Sequence, residues 1–153
     1  MSSEALPVVP LLIDGVETAS TPSIQFSVFS NSQQKDVYLA ESATEVTARA
    51  AADAALASFK TWKKVPAVER RNLLLKYAQI LRANADELCQ VQQAETSAPE
   101  LLCRKNIELA TGLIEETAAC ITSLKGSIPQ TESPSILALS FTVPIGPVLV
   151  IAP

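Results

Sequence analysis

Histidine does not occur in this chain. Its absence removes imidazole from any mechanism, excluding Ser-His-Asp and Cys-His nucleophiles and the commonest zinc ligand. Basic charge is also scarce. Twelve Lys and Arg stand against sixteen Asp and Glu, a net charge of −4. The clustered cations that a phosphate backbone requires are therefore missing, and nucleic acid is excluded as a partner. The pairs Lys63-Lys64 and Arg70-Arg71 are short, have acids nearby, and read as solvated helix ends. The first ten residues carry no basic leader, and Leu11-Leu12-Ile13 is too short for a signal core or a membrane span. A cytoplasmic protein without a membrane partner is the expectation. The three cysteines, Cys89, Cys103 and Cys120, show no CxxC spacing, and their odd number argues against a disulfide framework. Cys89 and Cys120 lie on or beside apolar helical stripes and are expected to be inert core thiols. Cys103, next to Arg104-Lys105, is expected on a helix surface. No metal site is expected.

What is present is apolar content enough for one globular domain: 48% hydrophobic and 18% charged over 153 residues. Residues 1–10 read as a flexible N-terminus. After them come Leu11 to Ile13, an Asp14-Gly15 turn, β-formers from Gln25 to Phe29, and Val37 to Leu39. These predict a hairpin leading into a third short strand. Ser42-Ala43-Thr44-Glu45 has the form of a capping box and predicts a helix start, with Ser42 as cap.

From Ala48, the positions Ala52, Ala55, Phe59 and Trp62 fall on one helical stripe whose small alanines would let another element come close. Pro66 suits the first turn of a second helix with the stripe Leu74, Ala78, Leu81, Ala85 and Leu88. A break is expected at Asn84, where Asn84 and Glu87 resemble another cap. Pro99 predicts the first turn of a long helix reaching about Leu124 and ended by Lys125-Gly126. One of its faces is Leu102, Leu109, Leu113, Cys120 and Leu124, and a neighbouring one is Ile107, Ile114, Ala118 and Ile121. A helix that apolar is expected to be buried on more than one side. Residues 136–143 alternate with a period of two, as a half-exposed edge strand does, and could pair with another chain. Val148 to Ile151 is a continuous apolar run, the signature of a strand buried on both faces of a parallel sheet.

No catalytic constellation emerges. Glu95 is read as a helix-end residue, Glu115-Glu116 as adjacent rather than facing carboxylates, and Asn106, on an apolar stripe, as a hydrogen-bonded core residue.

Taken in order, several segments resemble successive N-terminal landmarks of one family, the NAD(P)-dependent aldehyde dehydrogenases. They are Leu11-Leu12-Ile13-Asp14-Gly15, Phe59-Lys60-Thr61-Trp62, Pro66 with Glu69-Arg70-Arg71, Ala85-Asp86-Glu87-Leu88, Glu95-Thr96, Gly126-Ser127-Ile128-Pro129 and Pro144-Ile145-Gly146. Glu95-Thr96-Ser97-Ala98, Asn106-Ile107 and the run from Val148 to Pro153 are similar to the branch acting on aromatic aldehydes such as salicylaldehyde or vanillin. The sequence departs from the family at Ser97, where Gly is usual, and at Pro147, where a strand-forming Val is usual.

The resemblance implies an α/β fold: a β-hairpin, helices, an oligomerisation strand near 135–143, and the first strands of a Rossmann-like parallel sheet. Residues 11–153 would form part of the N-terminal, cofactor-binding domain. It also implies aldehyde oxidation to the acid with NAD or NADP, in which a cysteine thiolate attacks, a glutamate activates water and an asparagine stabilises the oxyanion. None of those three residues has a counterpart here, so the expected catalytic set is empty and the chain is expected to be incomplete and inactive alone. Ile151, Ala152 and Pro153 match family positions lining the cofactor cleft. Without a phosphate-cradling turn they are not expected to hold a dinucleotide by themselves. The stretch 135–143 implies a homo-oligomer or hetero-oligomer, which leaves a second reading open: a non-catalytic protein that pairs with a full-length relative.

Overall fold

A computed structural model describes residues 5–152. It begins with two β elements. β2 (Leu11–Ile13) and β3 (Val16–Thr18) form an antiparallel hairpin, preceded by the short β1 (Val8–Val9). Asp14 and Gly15 both take positive φ, 53° and 77°, the conformation a two-residue hairpin turn requires. The second element is a three-stranded sheet in the order β1-β5-β4, where β4 is Gln25–Ser30 and β5 is Lys35–Glu41. β4 and β5 are antiparallel with a bulge between Val28 and Phe29, and Val8 and Val9 lie parallel to Leu39 and Ala40. No strand is expected before Leu11, and only a short third strand near 37–39. Instead Val8–Val9 joins the sheet and Val37 to Leu39 sits inside a longer hairpin arm. The first residues of the segment read as flexible, 1–4, lie outside the described residues.

The first helix, α1 (Glu45–Trp62), is capped by Thr44 rather than Ser42. The Thr44 hydroxyl accepts from the Thr47 amide at 3.3 Å, and the Thr47 hydroxyl accepts from the Thr44 amide at 2.7 Å. Ser42 still belongs to the sheet, its amide donating to Ile24 O at 2.7 Å, and the first helical bond runs from the Ala48 amide to Thr44 O at 2.9 Å. Pro66 stands immediately before α2 (Ala67–Ala83), and Asn84 separates it from α3 (Ala85–Thr96). Asn84 makes no cap for α3. Its side-chain amide donates back to Ile80 O at 2.8 Å and so closes the end of α2. α4 (Glu100–Ile121) follows Pro99 and ends three residues short of the expected Leu124, since the Ser123 amide turns back onto Cys120 O.

The core lies where α4 packs along α2 and α3, and it is built from small side chains. Ala78, Cys89, Cys103, Thr111 and Ala118 are almost wholly buried. Ile107, Ile114 and Ile121 are half-buried on the same side of α4, while Leu102, Leu109 and Leu113 face outward, 48–62% exposed. The expectation that α4 is covered on more than one side therefore fails among the described residues. Ser97, between α3 and α4, has φ 58°, a left-handed conformation that a residue without a Cβ adopts at no cost. A glycine expected at this position from the family resemblance has this physical reason. Ser97 instead donates its side chain to the fold, with its hydroxyl accepting the Ser32 amide at 2.8 Å.

Beyond α4 the chain runs without regular structure. The expected strand at 136–143 is reduced to one antiparallel bridge, Ser127 with Ser140. Gly126 makes this possible, because a Cβ there would collide with the Ser140 carbonyl. Val148–Ile151 is not a strand and is 66–85% exposed. The run has the composition of a buried strand, but a strand exists only through ladder partners, and no other strand lies beside it among the described residues. The α/β class stands; the first strands of a Rossmann-like sheet are not assembled.

Candidate functional site

The alanine stripe of α1 is its most unusual feature, because α1 has no buried residue. Ala48, Ala51, Ala52 and Ala55 form one wall of an open cavity of about 500 Å³, and Pro147, Val148 and Leu149 form the other. The small side chains permit the close approach that their spacing suggests, and residues 147–149 use part of it. No ionisable side chain lines the cavity, so it can seat apolar chain but cannot protonate, attack or polarise a substrate. Ile151, 85% exposed, and Ala152, also exposed, lie just beyond it. Pro153 lies outside the described residues.

The remaining sequence candidates do not converge. Cys89 and Cys103 are buried and Cys120 is exposed, which reverses the expected places of Cys103 and Cys120. Cys103 is the fourth residue of α4, on the same side as Thr111 and Ala118, and that side faces α2 and α3. Burial pushes the Cys89 thiol up, and the adjacent Cys103 adds to this against the opposing charge of Arg104. Such a thiol is not an activated nucleophile. Glu115 is engaged in a two-pronged ion pair with Arg82, one arm at 2.8 Å. Hydrogen bonding to Arg82 holds the Glu115 carboxyl below its ordinary value despite partial burial. Glu95 and Asn106 are both exposed and border a shallow groove with Leu88 and Ile107, so Asn106 is not the core residue expected from its stripe. Among the described residues no group of His, Cys, Asp or Glu could hold a metal ion, and no helix is long and apolar enough to cross a membrane.

The best-formed polar cluster escaped the sequence reading. Glu41, at the end of β5, is 6% exposed. It accepts from the Ser20 amide at 2.9 Å, the Ser23 hydroxyl at 3.0 Å and the Gln25 side chain at 3.2 Å. Burial raises its carboxyl, but the bonds from Ser20, Gln25, Ser23 and the Ile24 backbone outweigh burial and hold it below its ordinary value. The cluster ties residues 20–25 to the end of β5. A single Glu closing a strand gave no pattern that pointed to it.

Comparison with known proteins decides what this framework is. The profile of the aldehyde dehydrogenase family matches residues 18–153. The chain belongs to that family. Salicylaldehyde dehydrogenase of Pseudomonas putida is 34% identical over 111 residues, covering 72% of this chain and 23% of that enzyme. Vanillin dehydrogenase of Pseudomonas fluorescens is 32% identical over 145 residues, covering 95% of this chain and 30% of that enzyme. The crystal structure of a salicylaldehyde dehydrogenase from Pseudomonas putida, complexed with salicylaldehyde, superposes with a TM-score of 0.86 at 27% identity. It covers 92% of this chain and 29% of the other. An NAD-dependent benzaldehyde dehydrogenase from Corynebacterium glutamicum shares the fold, with a TM-score of 0.75 at 20% identity over 80% of this chain and 27% of that one. The chain thus spans 23–30% of the length of these relatives, and its fold is the N-terminal portion of theirs.

The residues present do not fit a nicotinamide dinucleotide by themselves. A pyrophosphate needs a ring of backbone amides at a glycine turn opening a helix. Gly146, with φ 106°, sits between Pro144 and Pro147 in irregular chain, and no helix follows it among the described residues.

Proposed function

We propose that this chain is the N-terminal framework of an enzyme that oxidises an aromatic aldehyde to its acid with NAD or NADP. The single observation that carries the reading is kinship with the salicylaldehyde and vanillin dehydrogenases, in sequence and, for the former, in backbone. The chain's own contribution is mechanical. α2–α4 form a platform, and residues 144–152 leave it as an extended apolar segment suited to the centre of a larger sheet. Chemistry would come from segments that this chain does not contain, and the chain alone carries no turnover.

A chimera tests this: residues 18–153 replace the matching part of the Pseudomonas putida salicylaldehyde dehydrogenase. The expected result is a folded enzyme forming NADH or NADPH with salicylaldehyde or vanillin. A chimera that folds and oxidises aliphatic aldehydes but no aromatic one would overturn the substrate class.

A second reading has its own support. Ile136, Leu137, Leu139, Phe141 and Val143 are 52–75% exposed, and their alternation suits an edge strand that pairs with another subunit. On this reading the chain is a non-catalytic partner of a full-length relative. Co-expression with such a relative should then give a mixed oligomer on size exclusion, and two separate peaks would dismiss it.

A further inference from the structure

The two buried thiols form a pair that nothing in the aldehyde-oxidising role uses. Cys89 lies in α3 and Cys103 in the first turn of α4, and each is at most 2% exposed. Both thiols point at the same short connection. Cys89 Sγ lies 3.8 Å from Glu100 O, and Cys103 Sγ lies 3.7 Å from Ala98 O. The two carbonyls they meet are only two residues apart in the chain, so the thiols converge on the same stretch at the start of α4. Helices that meet as a tight antiparallel hairpin can bring two Cβ atoms to the short separation a disulfide needs. A route for a small oxidant also exists. A polar cavity of about 300 Å³ is lined by Asp86, Cys89, Gln90, Gln93, Glu100 and Arg104, so Cys89 borders water-accessible space and Cys103 does not line it.

We propose that Cys89 and Cys103 are a redox-sensitive pair, closed by a peroxide into an intramolecular disulfide that staples α3 to α4. The Cys89 thiolate attacks hydrogen peroxide, breaking the O–O bond, forming a sulfenic acid and releasing hydroxide, which takes up the proton lost from the thiol. The Cys103 thiol then displaces the sulfenic hydroxyl as water, so one peroxide is reduced to two waters and two thiols are oxidised to one disulfide. Arg104 stands at the cavity wall, held by Asp86 at 2.9 Å and Glu100 at 2.7 Å, and its charge favours the thiolate. Burial opposes it, so closure is slow at neutral pH and accelerates as pH rises.

Trypsin offers a direct assay, because no Lys or Arg lies between Arg82 and Arg104 and both cysteines fall on the peptide 83–104. The full chain with exposed Cys120 replaced by serine, which prevents intermolecular linkage, is treated with hydrogen peroxide, blocked with iodoacetamide under denaturing conditions, and digested. The expected product is peptide 83–104 lighter by two hydrogens and unalkylated, restored by dithiothreitol, and formed faster at alkaline than at neutral pH. The Cys103→Ser variant should instead accumulate a dimedone-reactive sulfenic acid at Cys89. Recovery of a doubly alkylated 83–104 peptide from the oxidised, still-folded chain would overturn the proposal. Closure only after denaturation would do the same.

Discussion

Replacing Leu109 with alanine separates an open α4 face from a packed one. Full burial of a leucine stabilises by about 1.5–3 kcal/mol, and a leucine-to-alanine change in a closed core costs about 2–5 kcal/mol because a cavity is added. Leu109 keeps 62% of its exposure, so roughly two fifths of the burial value, about 0.6–1.2 kcal/mol, is at stake, with no cavity to add. The measurement is urea unfolding of the isolated chain followed by far-UV circular dichroism, with the midpoint shift read at constant slope. Ala78→Leu is the internal contrast. Ala78, on α2, is fully buried, and extra methylenes there should cost about 1–3 kcal/mol. If Leu109→Ala costs more than Ala78→Leu, the outward face is covered in solution and the reasoning fails.

Three further outcomes follow from local chemistry. Thr44→Ala should lower stability by about 1 kcal/mol through loss of the cap, whereas Thr44→Ser should change it little; equal effects in urea unfolding would contradict the capping geometry. At position 97, glycine relieves the left-handed strain but gives up the Ser32 bond, and each is worth about 1 kcal/mol. Ser97→Gly should therefore be nearly neutral and Ser97→Ala clearly destabilising, a ranking that thermal unfolding reads directly. For Glu41, the folded-state carboxyl lies below its ordinary value of 4.5, so its stabilisation is complete above that pH and is lost as pH falls through the lower folded value. Glu41→Gln should flatten the acid limb of stability against pH. An unchanged limb would assign acid sensitivity to other groups.

Local signals were legible wherever a residue's own chemistry decides its conformation. Asp14-Gly15 favours a tight turn, and Pro66 and Pro99 with the helical stripes that follow them mark the starts of α2 and α4. Spacing alone puts the capping box two residues early, since Ser42 still pairs with the sheet through Ile24 O, a long-range demand that spacing does not reveal. Residues 136–143 and 148–151 mark the limit of pattern reading. Alternation and apolar runs report what a segment would do beside a partner, and within the described residues that partner strand is lacking. The outward face of Leu102, Leu109 and Leu113 has the same cause. Cys103 is buried although Arg104 and Lys105 follow it, because adjacent helical residues project about 100° apart and a charged neighbour in sequence does not report the side a thiol occupies. The Glu41 cluster left no trace, since its donors come from three separate positions that only the fold assembles.

The most direct test is spectrophotometric: the purified chain at micromolar concentration with NAD or NADP and salicylaldehyde, vanillin or benzaldehyde, followed by absorbance of the reduced cofactor. A framework without an activated thiol, an activating carboxylate or a phosphate cradle predicts a flat trace at every protein concentration. Reduced cofactor appearing at a rate proportional to this polypeptide would contradict the account.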